Sequence, residues 1–210
     1  KTSDSIYPTS NSASSESMVW FIQQAHSNGL KVLMKPHVDV ESGAWRGEIC
    51  PSDTSSSVSN WRISYKNYIL KMKNEVCAVA DCDMFAVGTE MELVAYDGTG
   101  SCPNQGAGLW KDFWIDLLNQ FTIDATYCSN WDIDGYNGGN SGYDSVQFWG
   151  SAEYIGIDMY DPIATTCTHT QQEMKDKFRA VVKKVTDYSN TQGQKSIVNC
   201  EIGFYDKDCT

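Results

Sequence analysis

Short apolar runs alternate with amphipathic helical stripes along this chain, and that alternation restricts its fold more than any other feature. The runs are Leu30 to Val38, Met84 to Glu90, Ala125 to Trp131, Tyr154 to Tyr160 and Ser196 to Phe204. Between them apolar residues recur at helical spacing: Met18, Phe21, Ile22 and Ala25; then Trp61, Tyr65, Tyr68, Ile69, Met72 and Val76. Two further stripes follow, Trp110, Phe113, Trp114, Leu117, Leu118 and Phe121, then Met174, Phe178, Val181, Val185 and Tyr188. Asn28-Gly29 supplies a stop for the first stripe, and Thr170-Gln-Gln-Glu173 reads as a capping box opening the last. A shorter helical piece is expected around Tyr143 to Ser151. Short apolar runs of this kind have the length of strands buried on both faces. Strands alternating with helices predict an α/β fold, with a parallel sheet and right-handed crossovers.

Such a sheet is either open and doubly wound or part of a closed barrel. The glycine-rich phosphate loops of the nucleotide-binding versions are missing, which removes their main support. The position of the polar residues favours the barrel. Each run carries polar or aromatic groups at its C-terminal end: His37 and Asp39, Glu90, Asn130 and Trp131, Asp158 and Tyr160, and Glu201. In a (β/α)8 TIM-barrel-like fold those ends converge on one rim, where barrel enzymes keep their sites.

Composition narrows the function. With 16 Lys+Arg against 27 Asp+Glu, the formal charge is -11, so nucleic acid and anionic membrane surfaces would be repelled. No apolar run approaches the length of a membrane span. Eight cysteines at mostly long spacings, with no Cys-x-x-Cys, argue against zinc ribbons and redox motifs. Buried free thiols in a cytosolic protein are one reading; structural disulfides in a secreted protein are the favoured one. The chain opens on Lys1 rather than Met and is expected to be a processed or partial product.

Glu90 and Glu201 each end an otherwise apolar strand, where a carboxylate is costly unless it is hydrogen-bonded or working. Two carboxyls facing one another across a sugar form the glycosidase apparatus, one donating a proton and the other attacking or acting as base. The alternative is a pair of salt-bridged rim carboxylates. Glu92 shares a face with Glu90 by the period of two and is expected to serve the loop instead. Trp45 and Arg46, in the loop after the first of these strands, and Asn130 and Trp131 suit a neutral polysaccharide, since aromatic faces stack on pyranose rings while Arg and Asn bind hydroxyls. Core packing is the competing reading for either Trp. His37 is assigned a substrate hydrogen bond or a supporting one, whereas His26, on a helix, is a surface or packing residue. Trp110 and Trp114 belong to the core. Asp132-Ile-Asp134-Gly135 lacks the later bidentate Glu of a calcium loop, so no metal site is expected.

Five strings then occur in order: Lys-Pro-His-Val-Asp-Val (35–40), Gly-Ala-Trp-Arg-Gly (43–47), Val-Gly-Thr-Glu-Met-Glu (87–92), Ile-Gly-Ile-Asp-Met-Tyr (155–160) and Cys-Glu-Ile-Gly-Phe (200–204). Together they resemble glycoside hydrolase family 113, a β-mannanase family in the clan of retaining (β/α)8 glycosidases, over about residues 18 to 205. The resemblance implies that Glu90, ending the fourth barrel strand, is the acid/base, and that Glu201, ending the seventh, is the nucleophile. Tyr160 matches a sixth-strand position that commonly hydrogen-bonds the nucleophile in this clan. Many clan members carry Asn before the acid/base, where this chain has Thr89. Strands one, two and eight have no counterpart, so residues 18–210 read as a partial barrel spanning strands three to seven, with 1–17 a Ser/Thr-rich loop.

The function expected from the resemblance is a secreted retaining hydrolase of β-1,4-mannan or a related β-linked polysaccharide, working without a cofactor. The rival is a structural or carbohydrate-binding protein without turnover. Its partner would be another copy or further chain segments completing the sheet. Cys50, Cys102, Cys167 and Cys209 all fall in loops after strands. The expected bridges are Cys50–Cys102 and Cys167–Cys209, with a local Cys77–Cys82 staple.

Overall fold

The structure, a computed structural model, describes residues 5–51, 54–96, 102, 108–131, 142–160 and 170–203. Among these residues five strands form one sheet: β1 (Leu33–Met34), β2 (Met84–Thr89), β3 (Asp124–Asn130), β4 (Ile155–Met159) and β5 (Ile197–Ile202). Every neighbouring pair is parallel, and the spatial order follows the chain order, β1-β2-β3-β4-β5. A doubly wound sheet would reverse direction partway. This one winds one way and curls into an open half-barrel flanked by helices.

β1 is much shorter than its apolar run. Among the described residues it pairs only with β2, and Lys35-Pro36 follows at once; Pro lacks the N–H that would extend a ladder. Among the helices, α1 (Ser15–Ser27) begins earlier than the Ser/Thr-rich loop was expected to end, because Ser14 caps it by accepting from Ser17 N at 3.2 Å. Its stripe is only partly used: Ile22 is buried, whereas Phe21 stands exposed, as does its neighbour Trp20 outside the stripe.

Helix α2 (Ser55–Met72) is capped by Thr54, buries Trp61, Tyr65, Ile69 and Met72, and runs through a π-helical turn into α3 (Ala78–Ala80). Asp81 ends that run in the left-handed conformation, and the Cys77–Cys82 bridge closes the turn. α4 (Glu92–Ala95) is a short helix with too little periodic sequence to be foreseen. α5 (Leu109–Leu118) buries all five apolar members of its stripe that fall within it. The expected helical piece over 143–151 is two 3-10 turns, Tyr143–Ser145 and Trp149–Ser151. α6 (Gln171–Thr191) has the expected capping box, with Glu173 N donating to Thr170 Oγ1 at 3.2 Å.

An aromatic core between helices and sheet fixes the end of β2. Tyr65, Trp114 and Tyr127 are fully buried, with ring centroids 5.5 Å apart for Tyr65–Trp114 and 5.1 Å for Trp114–Tyr127. Their polar atoms are all used. Tyr65 Oη donates to Val87 O at 3.0 Å, Tyr127 Oη accepts from Met91 N at 2.8 Å, and Trp114 Nε1 donates to Val94 O at 2.6 Å. The backbone on both sides of Glu90 is thereby pinned. Gly88 permits this packing, because a Cβ there would meet the Trp114 and Tyr127 rings at 2.8 Å.

Two of the expected disulfides are present, Cys50–Cys102 and Cys77–Cys82. Cys167 and Cys209 lie outside the described residues. A third bridge, Cys128–Cys200, links β3 to β5 across the intervening β4, with Cα atoms 6.0 Å apart. It passes over Gly156, where a Cβ would meet Cys200 Sγ at 3.0 Å and crowd the Tyr127 carbonyl.

Candidate active site

Strand irregularities precede both glutamates. On β2 the register slips between Ala86 and Thr89, so β2 carries one residue more than β3 over that stretch. On β5 the pairing jumps from Asn199 to Glu201, leaving Cys200 unpaired. Bulges of this kind re-aim side chains at barrel rims. Glu90 itself has φ +51°, a left-handed conformation that costs a residue with a Cβ about 1–2 kcal/mol. Its N–H donates to Cys128 O at 2.9 Å, so the neighbouring strand holds it in that state.

The result is a cluster of three carboxylates, Glu90, Asp158 and Glu201, each with an oxygen within 4.8 Å of the others. Cations interleave them. Lys35 Nζ donates to Asp158 Oδ1 at 2.7 Å and, more closely still, to Glu201 Oε1. Tyr160 Oη donates to Glu201 Oε2 at 2.5 Å, so each Glu201 oxygen has its own donor. Arg46 Nη1 lies 3.5 Å from Glu90 Oε2 and in close contact with His37 Nδ1, and its Nη2 donates to Asp39 Oδ1 at 2.8 Å. Thr89, where many clan members carry Asn, donates to Asp158 Oδ2 at 3.1 Å.

These contacts move the two glutamates apart in acidity. Burial pushes the Glu90 carboxyl above its ordinary value, and the neighbouring Asp158 adds to this, outweighing Arg46. Burial also opposes charge on Glu201, but the hydrogen bonds from Lys35 and Tyr160 prevail and hold it below its ordinary value. Tyr160 is raised to about 12 by the same bond, so it remains a donor. Burial, with Arg46 and Lys35 nearby, lowers His37 to about 4. It is neutral above that, and since its Nδ1 accepts from Arg46, the proton is on Nε2, 3.7 Å from Glu201 Oε1. One carboxyl protonated beside one ionised can supply a proton and a nucleophile at once.

Of the residues expected from sequence, Glu90, Glu201, His37, Arg46 and Tyr160 meet here. Trp45 stands next to Arg46, half-buried, its ring over Gly47. Asn130 is elsewhere engaged: its Nδ2 donates to the buried Glu92 at 2.8 Å. Trp131 is 4% exposed and packs on Tyr143 with centroids 5.5 Å apart. His26 pairs at the surface with Asp83, 3.0 Å away. Asp158 was expected at this rim but given no role, and Lys35 was not expected here, although the period of two places Lys35 with His37 and Asp158 with Tyr160.

The three carboxylates have the donor chemistry of a cation site, but the Lys35 ammonium already fills that role for two of them. The Asp132–Gly135 run, for which no metal was expected, lies outside the described residues. An open groove of about 600 Å³ beside Trp20, Glu75 and Val79 shares no residue with the cluster.

The family model of glycoside hydrolase family 113 matches residues 1–208. A solved structure of a β-1,4-mannanase of that family is similar at 26% identity with a TM-score of 0.56, over 85% of this chain and 51% of the mannanase. This chain therefore spans about half the length of that mannanase. No curated protein sequence is significantly similar to it. The open, curled five-stranded sheet of the described residues is consistent with a partial (β/α)8 barrel. The chain belongs to glycoside hydrolase family 113.

Proposed function

We propose that this chain carries the catalytic rim of a retaining glycosidase whose sheet is completed by further strands. Glu90 is the acid/base and Glu201 the nucleophile. The observation that carries the reading is the approach of these two carboxylates on unlike electrostatic terms. Glu201 attacks the anomeric carbon while Glu90 protonates the departing oxygen. Glu90, now a carboxylate, then takes a proton from water as that water displaces Glu201. Tyr160 and Lys35 hold the nucleophile, and Arg46 and Trp45 border the space a sugar would enter. The substrate class is β-1,4-mannan or a related β-linked polysaccharide, supported by the mannanase of the same family. Secretion is part of the proposal and rests on the three disulfides among the described residues. No helix among the described residues is long and apolar enough to cross a membrane.

A specific observation favours a second reading over a free-standing mannanase. Among the described residues β1 and β5 do not pair with each other and no further strand lies on either edge, and α1, which precedes the β1 edge, exposes Trp20 and Phe21. Open edges and bare aromatics invite a partner. On that reading the protein is a glycosidase-like structural or carbohydrate-binding component that completes its sheet with another chain and does not turn substrate over. Reducing-sugar release from mannan, xylan, cellulose and galactan by the full-length protein, with size measurement in parallel, separates the two. Release from mannan by a species with a completed sheet supports hydrolysis; saccharide binding without release supports the second reading.

A further inference from the structure

We propose that Lys35 is a positioning residue of this site: its ammonium, anchored on buried Asp158, holds Glu201 charged and oriented for attack. The kinetic part rests on the retaining reading above; the electrostatic part does not.

The Lys35 side chain is 11% exposed and Asp158 is fully buried, and they pair at 2.7 Å. A buried ion pair is a poor stabiliser, since apolar residues of similar volume commonly do as well or better. This pair is not isolated. Lys35 sits at the end of β1, one edge of the sheet, and its second partner is Glu201 on β5, the other edge. Asp158, on β4 beside β5, has its remaining oxygen satisfied by Thr89. Asp158 is therefore a fixed anchor that steers the ammonium onto Glu201.

The groups facing Glu201 from every packed element are Lys35 and His37 after β1, Arg46 and Glu90 nearby, Asp158 on β4 and Tyr160 after it. His37 is neutral above about pH 4, and Arg46 is engaged with Glu90, His37 and Asp39. Among the described residues Lys35 is thus the cation in direct contact with Glu201. In the first step Glu201 forms a C–O bond to the anomeric carbon, the glycosidic C–O bond breaks, and the leaving oxygen takes the Glu90 proton. Glu201 loses its charge as an ester, and Lys35 keeps Asp158 as counterion. In the second step water replaces Glu201, and its proton returns to Glu90. The same ammonium then stabilises the departing Glu201 carboxylate.

The test is a carboxyl ¹³C titration of Glu201 in the full chain, assigned with E201Q, comparing wild type with K35M and K35R. The expected result is a Glu201 midpoint higher by about 1–3 pH units in K35M, largely restored in K35R. With 4-nitrophenyl β-mannoside, the acidic limb of the kcat/KM profile should move by the same amount, with kcat falling more than KM changes. If K35M does not fold, K35M/D158N removes the orphaned carboxylate and is titrated instead. An unmoved Glu201 midpoint in either folded variant overturns the proposal. Loss of fold in both also overturns it, because the pair would then be structural. If the wild type releases no nitrophenol, the hydrolytic reading fails while the titration still decides the role of Lys35.

Discussion

One carboxylate oxygen of Glu90 lies within 4.8 Å of one of Glu201, and the two side chains are held on opposite terms. Glu90 is pressed into a left-handed backbone position between a buried aspartate and an arginine. Glu201 is gripped on both oxygens by donors. Proximity alone would raise both acidities' midpoints; the donors decide which glutamate ionises first.

That division predicts a bell-shaped pH profile. Glu201 must be ionised, so activity is lost as pH falls through its depressed midpoint, below the ordinary carboxylate value. Glu90 must be protonated, so activity is lost as pH rises through its elevated one. Arg46 works against that elevation, so R46M should move the basic limb to higher pH and leave the acidic limb nearly in place. Initial rates across pH 3 to 9 check this.

The same strain should appear as stability. A carboxyl whose midpoint is raised in the folded state weakens folding as pH rises above its unfolded value. E90Q removes that penalty and should stabilise the protein at pH 7 by about 0.5–2 kcal/mol. Near pH 3, with Glu90 protonated in both states, the gain should vanish. Thermal unfolding of wild type and E90Q at the two pH values decides it.

Trp45 and Trp131 should separate into binding and packing. W131A empties a buried aromatic site and should cost about 3–5 kcal/mol of stability. W45A should change stability far less and raise KM for oligosaccharides, since its half-buried ring stands beside Arg46. Paired unfolding and kinetic measurements distinguish them.

The Cys128–Cys200 bridge ties edge strand β5, and Glu201 with it, across β4 to β3. C128S/C200S should lose about 2–4 kcal/mol and much of the activity. G156A should also destabilise, because its methyl group would press on the Tyr127 carbonyl and the bridge. Denaturant titration reads both.

The alternation of runs and stripes made the parallel sheet legible, because strands buried on both faces leave continuous apolar sequence. β1 was overestimated because length of an apolar run does not report an edge or a proline in the ladder. Phe21 was placed in a core stripe by spacing alone, and spacing does not say whether anything packs on that face. At the site, Glu90 and Glu201 stood out as acids ending apolar strands. Asp158 was legible as a rim residue, but its pairing with Lys35 was not, because the two come from strands far apart in sequence and a buried ion pair leaves no local pattern. Cys128–Cys200 was missed for the same reason: it skips a strand, and nothing in the spacing of 72 residues announces that.

Trapping the glycosyl-enzyme tests the central claim most directly. The full-length protein would be treated with a 2-deoxy-2-fluoro-β-mannosyl fluoride, whose 2-fluorine slows both steps while its good fluoride leaving group speeds the first, so that the ester accumulates. Peptide mass mapping should then find one fluoromannosyl ester, on Glu201. In E90A the ester should still form from this activated sugar. Added azide should then restore turnover of an aryl β-mannoside, giving a β-glycosyl azide of retained configuration. Turnover of mannan with the label on another carboxylate, or full activity in E201A, would contradict the assignment of Glu201 as nucleophile.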